Sequence, residues 1–160
     1  MRALIAGFGN IFFGDDAFGS IVARTLSTRW MPSGVRVVDY GIRGIHLAFE
    51  MLDGYDVVVF VDAVARGQKP GTLYVIEPGE LPSTVPDAHS MELHNVLAFY
   101  DRLIEQLDVK TLPKVLIVGC EPENASEGAI PSDAVMQAVP QALALIASVL
   151  ERNGIGVQLV

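Results

Sequence analysis

The stretch Val57-Val58-Val59-Phe60-Val61, introduced by Asp56 and closed by Asp62, constrains the fold more than any other part of the chain. A run of apolar, mostly β-branched residues with no polar alternation leaves neither face of a strand fit for water. Such a strand must be covered on both sides. That is the signature of a central strand in a parallel sheet flanked by helices.

The rest of the sequence supplies its neighbours. Residues 2–6 and 115–118 read as short buried strands ended by Gly7 and Gly119, and residues 35–38 as another. Residues 72–76 lie between Pro70-Gly71 and Pro78-Gly79 and read as an edge strand. Apolar spacing predicts a helix over 17–26, with Phe18, Ile21, Val22 and Leu26 on one face. A second helix is predicted over 45–52, facing the core with Ile45, Ala48, Phe49 and Leu52. A long third one is expected over 93–107, and a last one runs from a Ser132 or Asp133 cap to about Arg152. Pro140 is expected to kink or restart that last helix. The order β-α-β-α-β-β-α-β-α implies a doubly wound α/β fold, a mostly parallel five-stranded sheet with helices on both faces. No linker or repeat interrupts it, so residues 1–160 are read as a single domain.

Composition narrows the function. At 51% hydrophobic and 19% charged residues the chain can build a well-formed core, and its net charge of −8 argues against nucleic acid or an anionic membrane as partner. Cys120 is the single cysteine, so neither an internal disulfide nor a thiolate cage for zinc can form. The N-terminus lacks the pattern of a signal peptide, and no stretch is read as approaching the ~20 apolar residues of a membrane span. The expected location is the cytoplasm, with a monomer as the default state.

Doubly wound sheets bind ligands outside the carboxyl ends of their strands, which directs attention to the loops after Ala6, Val38, Val61 and Val118. The first, Gly7-Phe8-Gly9-Asn10-Ile11-Phe12-Phe13-Gly14-Asp15-Asp16, invites a nucleotide reading. It departs from the dinucleotide fingerprint at Phe12 and from the phosphate loop at Asp15 and Asp16, where Lys and Ser or Thr belong. Two carboxylates there repel a polyphosphate. They suit a cation instead, and the positive end of the following helix keeps them ionised. One of the pair is expected to serve as that helix's N-cap. Gly19 is read as permitting close helix–sheet packing.

Asp62, at the carboxyl end of the central strand, points towards the same crevice; a plain turn aspartate is the alternative. His89, in Asp87-Ala88-His89-Ser90-Met91, precedes the third helix, where Ser90 is a natural cap. A surface histidine is the alternative there. His46 and His94 are read as solvated or structural. Two carboxylates and an imidazole form a mixed oxygen and nitrogen set suited to a borderline divalent ion such as nickel, zinc or iron.

The ordered motifs resemble the hydrogenase maturation proteases. Gly7-x-Gly9-Asn10-Ile11-x-x-x-Asp15-Asp16-Ala17-x-Gly19 is similar to that family's opening motif, and Tyr40-Gly41-Ile42-Arg43-Gly44-Ile45-His46-Leu47 to its glycine-rich second loop. Asp62-Ala63, His89-Ser90-Met91-Glu92-Leu93-His94-Asn95-Val96-Leu97 and Gly119-Cys120-Glu121-Pro122-Glu123 resemble its later landmarks. The likeness runs from Met1 to about Leu150. It implies an endopeptidase that removes the C-terminal extension of a nickel-loaded hydrogenase large-subunit precursor. It also implies Asp16, Asp62 and His89 as metal ligands and catalytic groups, with nickel brought by the substrate and other divalent ions as substitutes. Gly9, Asn10, Gly41 and Gly44 are the expected substrate contacts. Many members carry Glu where this chain has the shorter Asp16. No serine or cysteine has a convincing base, so a water activated by the metal or by Asp16 or Asp62 is the expected nucleophile. Rival readings are a nickel-binding assembly chaperone without peptidase activity and a nucleoside- or phosphate-handling α/β enzyme.

Overall fold

A computed structural model of the chain describes residues 1–29, 31–81 and 93–157. The sheet contains β1 (Ala3–Phe8), β2 (Val35–Gly41), β3 (Val57–Ala63), β4 (Leu73–Ile76) and β5 (Lys114–Cys120). Their spatial order is β2-β1-β3-β5-β4. All neighbours run parallel except β4, which pairs antiparallel with β5 at the edge. The doubly wound, five-stranded expectation is met. The valine-rich strand β3 lies between β1 and β5, and Val58 to Val61 are fully buried.

Four helices cover the sheet: α1 (Phe18–Ser27), α2 (Gly44–Glu50), α3 (Leu93–Gln106) and α4 (Asp133–Arg152). Alternation along the strands divides the core into two layers. Ile5, Val59 and Val118 face Phe18 and Val22 of α1 and Ala142 and Ile146 of α4. Leu4, Val58, Phe60 and Ile117 face Leu47 and Ala48 of α2 and Val96 and Tyr100 of α3.

Three expectations need correction. The face α2 buries is Leu47, Ala48 and Met51, whereas Ile45 and Phe49 are about half exposed. The helix is only seven residues long, and Phe49 instead meets Phe99 of α3 edge to face, with ring centroids 5.9 Å apart. Pro140 does not restart α4, which continues through it. Val135, Ala138 and Val139 before the proline and Ala142, Leu143 and Ile146 after it pack into one core, and that burial holds the helix together across the missing hydrogen bond. The same helix is long and apolar enough, by length and composition, to cross a membrane. It passes that test because residues 134–150 carry no charge. Its buried stripe lies on the sheet, so here it serves as a core helix.

The chain leaves β1 towards β2 on one side, yet β3 lies on the other side of β1. The connections therefore diverge at the carboxyl ends of β1 and β3, which opens a crevice between them.

Candidate metal-recognition site

Two of the three proposed ligands meet at that crevice. Val61 of β3 is level with Gly7 of β1, so Asp62 follows at the mouth, level with Gly119 of β5. Asp62 is 9% exposed, and one of its carboxylate oxygens accepts the Ala63 N–H at 2.8 Å. Asp16 lies in a 3₁₀ turn over Gly14–Ala17 that leads into α1. Its carboxylate accepts the Asn10 N–H at 2.8 Å, and the Asn10 side-chain oxygen accepts the Phe12 N–H at 2.9 Å. The first loop is thus folded around the Asp16 side chain.

Gly9 sits between the two acids. A Cβ on Gly9 would overlap the Asp16 carbonyl oxygen and stand 3.6 Å from Asp62 Oδ1. Gly9 therefore lies between the Asp16 backbone and the Asp62 carboxylate, and the two acids border the same loop. Gly19 brings this about from behind: any Cβ there would overlap the carbonyl oxygens of Phe8 and Val61. Its absence lets the first turn of α1 rest on the ends of β1 and β3, as the sequence suggested.

Of the expected substrate contacts, Gly9 and Gly41 are joined directly, the Gly9 N–H donating to the Gly41 carbonyl at 2.8 Å. Asn10 is held by Asp16. Gly44 is buried at the start of α2, and its N–H donates to the Ile42 carbonyl at 3.0 Å. His89 and its cap Ser90 lie outside the described residues. Among the described residues, no group of three or more His, Cys, Asp and Glu side chains is placed to hold a metal. His46 is exposed on α2.

The capping expectation is corrected. The residues capping the 3₁₀ turn and α1 are Phe13 and Ala17, and neither makes a side-chain cap bond. Asp15 turns away from the helix and is fully buried. It accepts the N–H groups of Glu123, Asn124 and Ser132 at 2.8, 2.9 and 2.6 Å and the Ser132 hydroxyl at 2.8 Å. Burial alone pushes its pKa up, but these four bonds to the ionised form outweigh that and hold it below the ordinary value. Ser132 caps α4 as expected, accepting from the Val135 N–H at 3.4 Å.

Two further acids shape the neighbouring loops, and neither was singled out as a site residue. Asp39 accepts the Ser20 hydroxyl at 2.7 Å, the Arg24 Nε–H at 2.8 Å and the Gly41 N–H at 3.0 Å, fixing the second loop. Glu121, 3% exposed, accepts the Arg66 and Gln68 N–H groups at 2.9 and 2.7 Å and the Tyr74 hydroxyl at 2.9 Å. The signal is an acid within or just after the carboxyl half of a largely apolar strand, Asp39 in β2 and Glu121 after β5. Cys120 is fully buried. Burial, with smaller contributions from the charges of Asp15 and Glu121, pushes its thiol up to about 12. A thiol so placed is a packing residue and a poor nucleophile.

Comparison with known proteins bears on this geometry. The family model HycI, hydrogenase maturation protease, matches residues 21–149. The hydrogenase expression/formation protein HupM of Azotobacter chroococcum is 33% identical over 155 residues, which span 95% of this chain and 73% of that one. Among solved structures, the hydrogenase maturating endopeptidase HybD from E. coli superposes with a TM-score of 0.81 at 26% identity, covering 99% of this chain and 98% of that one. The [NiFe] hydrogenase maturation protease HycI from Thermococcus kodakarensis gives a TM-score of 0.70 at 27% identity, covering 94% and 92%.

Proposed function

Because the chain belongs to the hydrogenase maturation protease family and is therefore an endopeptidase, we propose that it removes the C-terminal extension of a nickel-loaded hydrogenase large-subunit precursor, and that it recognises the nickel itself. What supports this reading is that Gly9, at the crevice between β1 and β3, lies between the Asp16 backbone and the Asp62 carboxylate. Family likeness adds His89 as the third ligand.

The nickel is part of the substrate. Held by the precursor with coordination positions still open, it accepts two carboxylates and an imidazole, a donor set suited to a borderline divalent ion. Other divalent ions can take its place in this scheme. An empty precursor lacks that anchor, so specificity is a difference in affinity with the metal as discriminator. The same contact brings the scissile bond to the crevice. The loops carrying Gly9, Asn10, Gly41 and Gly44 present backbone to the incoming chain. Water is the attacking group, its proton taken by Asp16 or Asp62 and its acidity raised where it meets the metal, since Cys120 is buried with a raised pKa. The single free cysteine suits a reducing compartment, and we place the reaction in the cytoplasm with the enzyme acting as a monomer.

Replacing Asp16 by Asn and, separately, His89 by Ala tests this. Both variants are expected to keep the wild-type circular dichroism and melting profile while leaving nickel-loaded precursor at full length. A variant that processes at the wild-type rate removes that residue from the site. If wild-type protein instead forms a stable complex with the precursor and never shortens it, the chain acts as an assembly chaperone.

A further inference from the structure

Beside the crevice, an open groove of about 530 Å³ runs between β2 and α2. Its floor is one face of β2, the alternate residues Arg36, Val38 and Tyr40. Its wall is α2, and Arg43 stands at the end nearest the second glycine loop. β2 is an edge strand with β1 as its one sheet neighbour among the described residues, so the groove over its side-chain face lies at the margin of the sheet.

The charges in this groove are unevenly matched. Glu50 is paired with Arg36 at 3.0 Å and receives the Tyr55 hydroxyl at 2.6 Å. Asp53 is paired with Arg2 at 3.3 Å. Both acids are thus already neutralised by neighbours. Arg43 differs: its guanidinium donates to the Asp39 and Tyr40 carbonyls at 2.7 and 3.2 Å. Those acceptors are neutral, so they orient the group without cancelling its charge, and a guanidinium has five donors to share. Among the described residues no carboxylate pairs with it, so it stands at the mouth of the groove as an oriented cation. It complements a carboxylate.

We propose that this groove is a substrate subsite, in which an extended segment of the precursor's tail lies along β2 with an acidic side chain against Arg43. The inference rests on the proposed processing activity and deepens it. Nickel fixes one point of the substrate at Asp16 and Asp62; the groove holds the tail in line. The second loop connects the two places, since the Gly41 carbonyl accepts the Gly9 N–H beside the acids.

The test is steady-state processing of nickel-loaded precursor by wild-type, Arg43→Gln and Arg43→Lys proteins. Arg43→Gln is expected to raise KM about tenfold and leave kcat within about twofold, because a charge-assisted contact to the tail is lost before the reacting bond is reached. Arg43→Lys keeps the charge but not the guanidinium's bonds to the Asp39 and Tyr40 carbonyls, so its KM should fall between those of wild type and Arg43→Gln. Equal losses in both variants would assign Arg43 to holding the 39–44 turn and overturn the subsite, as would an unchanged KM in Arg43→Gln. Inhibition by synthetic extension peptide supplies a second readout. Amidating its C-terminus should leave inhibition unaltered, and converting its Asp and Glu side chains to amides should weaken it. The reverse pattern overturns the proposal. Wild-type protein that cleaves while Arg43→Gln matches it defeats the subsite alone; wild-type protein that never cleaves defeats the proposed activity, and the subsite with it.

Discussion

Asp15 holds Ser132 twice, accepting its backbone N–H at 2.6 Å and its hydroxyl at 2.8 Å. This pair ties the first loop to the start of α4, across a sequence separation of 117 residues. The adjacent Asp16 points the other way, into the crevice loop, where it accepts the Asn10 N–H. Consecutive acids therefore divide the work: one ties the first loop to α4, and the other holds the loop at the crevice, where we propose that it meets the metal.

That division predicts opposite phenotypes. Asp15→Asn presents an amide where four donors converge, leaving buried N–H groups without acceptors. It should lower stability by about 3 kcal/mol, measured by urea unfolding. Asp16→Asn should leave stability within about 0.5 kcal/mol of wild type, since an amide oxygen can still accept the Asn10 N–H on this half-buried loop.

Acid stability follows from the same bonds. Burial acts to raise the pKa values of Asp15 and Glu121, but hydrogen bonds to their ionised forms prevail and hold both below the ordinary 3.8 and 4.5. A depressed folded-state pKa stabilises the fold above the ordinary value, and that contribution disappears as pH falls through the folded-state value. The melting temperature should therefore stay level from neutral pH to about 5 and fall steeply below about 4. Asp15→Asn should melt lower at neutral pH and converge on wild type in that acid range. A constant gap between the two curves down to the lowest pH would remove Asp15 from this role.

Gly9 carries a third prediction. Its φ of +141° is one that residues with a side chain rarely adopt, and a Cβ would collide with the Asp16 backbone. Gly9→Ala should cost about 2 kcal/mol of stability. It should also reduce precursor processing by about a hundredfold, because displacing the Asp16 loop by a fraction of its width spoils the shared grip on the metal. Processing within a few-fold of wild type would show that the Asp16 position tolerates the shift.

Much of this was legible in the residues themselves. Five valine-rich positions announced β3, and the alternation of strands and helices fixed the doubly wound sheet. The strand-end rule then led to Asp62 and to the loop bearing Asp16. What periodicity could not show was which apolar residues of a short helix face inward: Ile45 and Phe49 fit the spacing of α2 as well as Leu47 and Met51, and only the position of α3 decides between them. Nor could spacing separate Asp15 from Asp16. Their difference depends on residues 123–132, more than a hundred positions away, folding back over the first loop. At Pro140, expected to kink or restart α4, the helix does not restart, because the long buried stripe outweighs the lost hydrogen bond. His89 lies outside the described residues, so its place in the site rests on family likeness and on the chemistry that Asp16 and Asp62 leave incomplete.

Recognition of substrate-borne nickel is the central proposal for this endopeptidase. The direct measurement is the change in precursor size on gel electrophoresis or mass spectrometry, after incubating purified wild-type protein with the same large-subunit precursor prepared with and without nickel. The account predicts that only the nickel-loaded precursor is shortened, losing its C-terminal extension while the empty one stays intact. Equal shortening of both would mean that recognition proceeds without the metal, and Asp16 and Asp62 would need another explanation.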